Sequence, residues 1–125
     1  MLKKILPILM LSLLMAGCTA TITNLTPLQQ ARNDNNFYPV DAAFNSKQQS
    51  LLWDTIQPYV VVGTNFYPMQ STPILTNRWE GLIPVPSDQN LVHYYYKFDW
   101  RYYDFGIPKT DSASSREYTL HILEK

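Results

Sequence analysis

With ten Lys/Arg against ten Asp/Glu in 125 residues, the chain has no net charge and no basic stripe to hold a polyanion, which excludes nucleic acid as a partner. Its single cysteine excludes an internal disulfide framework, a haem-attachment pair and a thiolate metal site. Charged residues make up 16%, below the usual quarter, while nine Tyr, five Phe and three Trp supply apolar bulk, so a folded core is expected rather than a disordered spacer.

The chain opens on Met1-Leu2-Lys3-Lys4. The apolar run over residues 5–15 that follows has the length of a signal-peptide core and is too short to cross a bilayer as a helix. It ends on Leu14-Met15-Ala16-Gly17-Cys18, where two small residues precede the cysteine. This stretch resembles the lipobox of bacterial lipoproteins, with Met15 standing where the commonest form has Leu. The resemblance implies a diacylglycerol on the Cys18 thiol, removal of residues 1–17, and a fatty acid such as palmitate on the new amine. Two or three acyl chains hold a protein firmly where one holds it only reversibly. In that family Asp after the cysteine marks inner-membrane retention in many diderm bacteria; Thr19 therefore implies the outer membrane and the periplasmic envelope. No later apolar run approaches the length of a second span.

Residues 18–36 read as a lipid-anchored tether with a first strand. Thr21-Ile22-Thr23-Asn24-Leu25 alternates polar and apolar, Pro27 restricts it to an edge, and residues 29–36 form a polar loop without apolar periodicity. Asn24-Leu25-Thr26 matches a glycosylation sequon by chance, given the bacterial signal upstream and Pro27 directly behind.

The body, residues 37–125, begins with Tyr38, Val40, Ala42 and Phe44 on one face of a strand, and a turn follows at Asn45-Ser46-Lys47-Gln48. Residues 51–56 admit a short helix or a strand; Pro58 close behind favours the strand. Residues 59–67, rich in Val, Tyr and Phe, read as a central strand covered on both faces, with Gly63 marking a bulge or a close backbone approach. Pro68 and Pro73 bracket a loop. Trp79, Gly81, Ile83 and Val85 then share a face opposite Arg78 and Glu80.

After a turn at Ser87-Asp88-Gln89-Asn90 comes the clearest alternation in the chain. Val92, Tyr94, Tyr96, Phe98, Trp100 and Tyr102 face one way; His93, Tyr95, Lys97, Asp99 and Arg101 face the other. A slip of one residue would bury two cations and an aspartate, so the register is tightly specified. Residues 104–116 read as a long connection, and Tyr118, Leu120 and Ile122 face inward on a last strand. About seven strands with turns between them and no convincing helix lead to an all-β fold, an immunoglobulin-like antiparallel two-sheet sandwich.

No constellation of residues carries catalysis. His93 and His121 sit singly on outer faces without metal-ligand spacing. Asp99 alternates with Lys97 and Arg101, as a charge ladder does, and Asp104 has no visible carboxylate partner in a cleft. Ser112, Ser114 and Ser115 lack the Gly-x-Ser-x-Gly turn that exposes a nucleophile, and no glycine-rich phosphate loop exists. A non-enzymatic structural or protein-binding module is therefore expected, with no metal and no cofactor.

Val61-Val62-Gly63, Arg78-Trp79-Glu80 and Tyr96-Lys97-Phe98 together resemble, over residues 59–102, the strand motifs of starch-binding-type carbohydrate modules. That resemblance implies a β-sandwich that stacks sugar rings of envelope or dietary glycans on exposed aromatics. Trp79 and Trp100 fall on expected inner faces, which leaves Tyr95, Tyr103 and Trp53 as the ligand-binding candidates.

Overall fold

The structure, a computed structural model, describes residues 20–124; Cys18 and the signal segment lie outside them. Ten strands are present among the described residues: β1 (Ala20–Asn24), β2 (Gln29–Ala31), β3 (Phe37–Ser46), β4 (Leu51–Val62), β5 (Asn65–Pro68), β6 (Gln70–Ser71), β7 (Arg78–Pro84), β8 (Leu91–Asp104), β9 (Ile107–Ser114) and β10 (Tyr118–Leu123). One sheet runs β1-β3-β7-β6. The other runs β2-β10-β8-β4-β5, with β9 beside β8. With β2 lettered A′ and β9 and β10, which pair with successive parts of β8, taken together as G, the sheets read A-B-E-D and A′-G-F-C-C′ in chain-order letters, the strand order of the immunoglobulin sandwich. No helix in the described part is long and apolar enough to cross a membrane.

The alternation along β3 and β8 builds the core. Tyr38, Val40, Ala42 and Phe44 are buried on β3, and Val92, Tyr94, Tyr96, Phe98 and Trp100 on β8. Between the sheets Phe44 stacks on Phe98, with ring centroids 4.8 Å apart and planes 11° apart, and Trp79 meets Phe98 edge-on at 5.4 Å. Antibody domains join these same two strands with a disulfide; here an aromatic stack fastens them.

Four local expectations are corrected. Residues 29–36 are not all loop: β2 pairs parallel with β10, with Gln30 opposite Ile122, and Arg32 N–H donates to Leu123 O at 2.8 Å. A polar strand is stable there because it lies on an edge, where one side faces water. The sandwich therefore takes in the chain from Ala20 onward.

Residues 51–56 are strand, as expected, but the stretches 51–56 and 59–67 divide elsewhere, at Gly63–Thr64 and not near Pro58. β4 runs unbroken to Val62, with a register shift between Leu52 and Gln57 on β8. Pro58 is accommodated beside this bulge, as prolines in sheets are, and its carbonyl accepts from Met69 N–H at 3.0 Å. Thr55 mends the bulge: its hydroxyl donates to Leu52 O at 2.6 Å and accepts from Arg101 N–H at 2.9 Å.

Gly63 is neither bulge nor close approach, since nothing lies within 4 Å of where its Cβ would be. At φ 61° it opens the two-residue Gly63–Thr64 turn between Val62 and Asn65.

Residues 104–116 are not a loop. Phe105 and Gly106, both at positive φ (51° and 77°), form a two-residue turn that folds β9 back along β8. The chain leaves that edge at Ser115, whose hydroxyl accepts from Tyr96 N–H at 2.9 Å, and β10 resumes on the same edge with Tyr118 opposite Tyr94.

A buried polar knot ties the first strand to the core. The Tyr96 hydroxyl donates to Asn24 Oδ1 at 2.6 Å and lies 3.0 Å from Thr26 Oγ1, which accepts from Asp41 N–H at 2.9 Å. Burial, more than any neighbour, pushes the Tyr96 phenol above its ordinary range, so it stays a neutral donor. The Asn24 amide of the chance sequon is thus engaged inside the fold, where it also donates to Tyr94 OH at 3.1 Å.

Candidate binding surfaces

The outer face of the second sheet is where sequence-derived candidates and structure meet. Val61 on β4 is paired with Phe66 on β5 and Tyr95 on β8, so the three side chains form one row on that face. Val61 is buried, although it is outside the core between the sheets, while Phe66 is half exposed and Tyr95 partly so. Tyr59 meets Phe66 edge-on, with centroids 6.0 Å apart and planes 77° apart. Directly across from Tyr59, Lys97 holds its ammonium 5.9 Å from the Phe66 ring and 2.8 Å from Asp99 Oδ1. The result is an aromatic patch carrying a cation held by both its neighbours.

Beside this patch the β4 bulge opens a cleft of about 870 Å³, lined by residues 54–57, 99–101 and 110–112. It exists because no residue between Leu52 and Gln57 pairs with β8. Its walls carry Asp54, Asp99, Asp111 and Arg101. Among the described residues no group of three His, Cys, Asp or Glu side chains is close enough to hold a metal.

The sequence-derived ligand candidates do not converge. Tyr95 and Tyr103 share a face of β8 but are eight residues apart, roughly 27 Å along a strand. Trp53 sits on the bulge, 43% exposed, with its ring 6.0 Å from the inward-facing Phe44. The histidines are also apart in role. His93 Nδ1 lies 2.9 Å from Thr119 Oγ1, and His121 is exposed on the neighbouring strand. Asp104 pairs with Lys109 at 2.6 Å, away from the Asp99–Lys97 pair.

Tyr59 and Phe66 are missing from the sequence-derived candidates. A single strand over 59–67 would place odd and even positions on opposite faces, which separates these two residues. The turn at Gly63–Thr64 reverses the chain and returns Phe66 to the face of Tyr59. Gly-Thr between two β-branched and aromatic runs was the available signal.

No protein-family model and no curated protein matches the chain. Among solved structures it is similar to murine CRIg at 9% identity, over 84% of this chain and 98% of that one, with a TM-score of 0.42.

Proposed function

We propose that this is a lipid-anchored envelope protein, held through Cys18 at the outer membrane, whose sandwich is a non-catalytic module binding another envelope protein. The observation that carries the binding role is the Tyr59–Phe66–Tyr95 patch around Val61, with Lys97 at its side. Tyr and Phe gathered on a flat, solvent-facing sheet are what protein interfaces are enriched in. The 77° angle between Tyr59 and Phe66 denies a sugar ring a common stacking plane, which favours a protein over a glycan. The engagement of Lys97 with Asp99 and of Lys109 with Asp104 supports a non-catalytic role, because these groups are tied to counter-charges. The anchoring half rests on residues 14–18 of the sequence.

Two experiments test the two halves. Metabolic labelling with a lipid analogue is expected to mark the wild-type chain and to spare Cys18→Ser; equal labelling of both refutes anchoring. Crosslinking in the native envelope is expected to capture one protein with the wild type and to lose it with Phe66→Ala and Tyr95→Ala. Retention of the bait on peptidoglycan or polysaccharide, with no protein captured, refutes the protein-binding reading.

A further inference from the structure

One end of the sandwich differs in chemistry from the other. The described chain enters at Ala20, opposite Ser46, and three connections gather at that end. The first is the turn at residues 47–50. The second is the loop at residues 72–77, which reaches β3 when Phe44 N–H donates to Asn77 O at 2.9 Å. The third is the β8–β9 turn, placed there by the Leu51–Tyr102 pairing and by Tyr103 N–H donating to Ser50 O at 3.2 Å. Here Ile74 (101%) and Phe105 (99%) are wholly exposed, with Ile107 at 60% and Leu75 at 48% beside them. The opposite end carries the Gly63–Thr64 turn, Asn33-Asp34-Asn35-Asn36 and Ser87-Asp88-Gln89-Asn90, whose tips are polar; the apolar side chains exposed beside them, Phe37 (46%), Leu91 (39%) and Leu123 (47%), lie at strand ends and none is wholly exposed.

The two fully exposed side chains also occupy positions where the backbone argues against them. Ile74 has φ 72° and Phe105 φ 51°, in the left-handed region that glycine and asparagine take without strain. A β-branched residue is the poorest choice for it, and a phenylalanine pointing into water gains no packing in return. Folding therefore accounts for neither residue. Both are large and apolar, and both project from the same end.

We propose that this end docks on the bilayer, with Ile74 and Phe105 seated in the lipid interface. The inference rests on the reading of Cys18 as the lipidated residue. Cys18 precedes Ala20 by two residues, at most about 7 Å of chain, so acyl chains on Cys18 bring this end against the headgroups and no other. The loop tips then add a second contact to the acyl anchor and fix the orientation of the domain, with the patch around Val61 carried above the membrane. Amphipathic contacts of this kind supplement acyl anchors at membrane surfaces.

The test uses the full lipidated chain, in which lipid on Cys18 leaves an introduced cysteine as the one free thiol. Ile74→Cys, Phe105→Cys, Gln49→Cys and Thr64→Cys are labelled with an environment-sensitive fluorophore and placed in phosphatidylethanolamine–phosphatidylglycerol vesicles. Gln49 is exposed in the turn at residues 47–50, so a label there reports on the docking end without replacing a seated side chain. The expected result is blue-shifted emission and quenching by spin-labelled lipid at 74 and 105, and neither at 64 on the opposite end. At 49, quenching is expected to be lost on adding Ile74→Asn and Phe105→Asn, substitutions that suit the backbone. If intact mass shows lipid on Cys18 while 74 and 105 behave like 64, docking is overturned and anchoring stands. If Cys18 carries no lipid, the anchoring reading fails by itself; the same labels are then read in a Cys18→Ser background, which again leaves one thiol, where quenching at 74 and 105 supports docking and its absence overturns it. A shift at 74 and 105 in native envelopes but not in lipid vesicles overturns docking in favour of a protein partner.

Discussion

Replacing Phe105 by asparagine is expected to stabilise the domain, although it removes a large apolar side chain. Phe105 holds the first central position of a two-residue turn at φ 51°, and its side chain is 99% exposed. In water it has no burial to lose. A left-handed backbone costs an ordinary residue about 1–2 kcal/mol, and asparagine relieves much of that because its short polar side chain bonds locally. A gain of about 1 kcal/mol follows, which for a domain of this size raises Tm by roughly 4–8 °C. Glycine at the same position should gain less, because it returns about 0.5–1 kcal/mol through the freedom of the unfolded chain. The assay is urea unfolding of a soluble form beginning at Thr19, followed by near-ultraviolet circular dichroism, with the midpoint rising at unchanged m. A fall of the midpoint in Phe105→Asn would show that the ring packs against the domain, and would remove the argument that folding leaves Phe105 unexplained.

Three further outcomes are expected. Tyr96→Phe should cost about 1–2 kcal/mol by depriving Asn24 and Thr26 of their buried partner, and its coupling to Thr26→Val in a double-mutant cycle should be well above zero; additive effects would refute the knot. Phe98→Ala should cost about 3–5 kcal/mol, since Phe98 both stacks on Phe44 and meets Trp79; a loss below about 1 kcal/mol in denaturant unfolding would contradict the aromatic fastening. Arg32 donates to Glu124 at 2.8 Å and holds that carboxyl below the ordinary value of 4.5. The stability this pair adds is therefore complete above pH 4.5 and lost as pH falls through the lowered folded value. The midpoint gap between wild type and Glu124→Gln should close on acidification, and a gap that widens would reverse the sign of the argument.

Arg32 also shows where reading in one dimension stops. Its guanidinium gathers Glu124, Tyr38 OH, and the carbonyls of Val85, Pro86 and Gln89, partners drawn from three separate stretches of chain. Nothing in the polar run at residues 29–36 signals such a junction, because nearly every partner is distant in sequence.

Local alternation by itself determined the inward faces of β3, β7, β8 and β10, since a period of two with large apolar side chains on one side admits a single burial pattern. It also determined the all-β class, through the density of β-branched and aromatic residues and the spacing of turns. The tertiary structure decided what depends on chain reversal and on pairing partners. The Gly63–Thr64 turn put Phe66 beside Tyr59, and the Phe105–Gly106 turn made a hairpin of an expected loop. The edge of β10 made a strand of the polar residues Gln29–Ala31. Each outcome turns on a few backbone angles or on a hydrogen-bonding edge supplied by a remote segment. A side chain's periodicity records which face it buries, and it carries no record of which strand lies next to it.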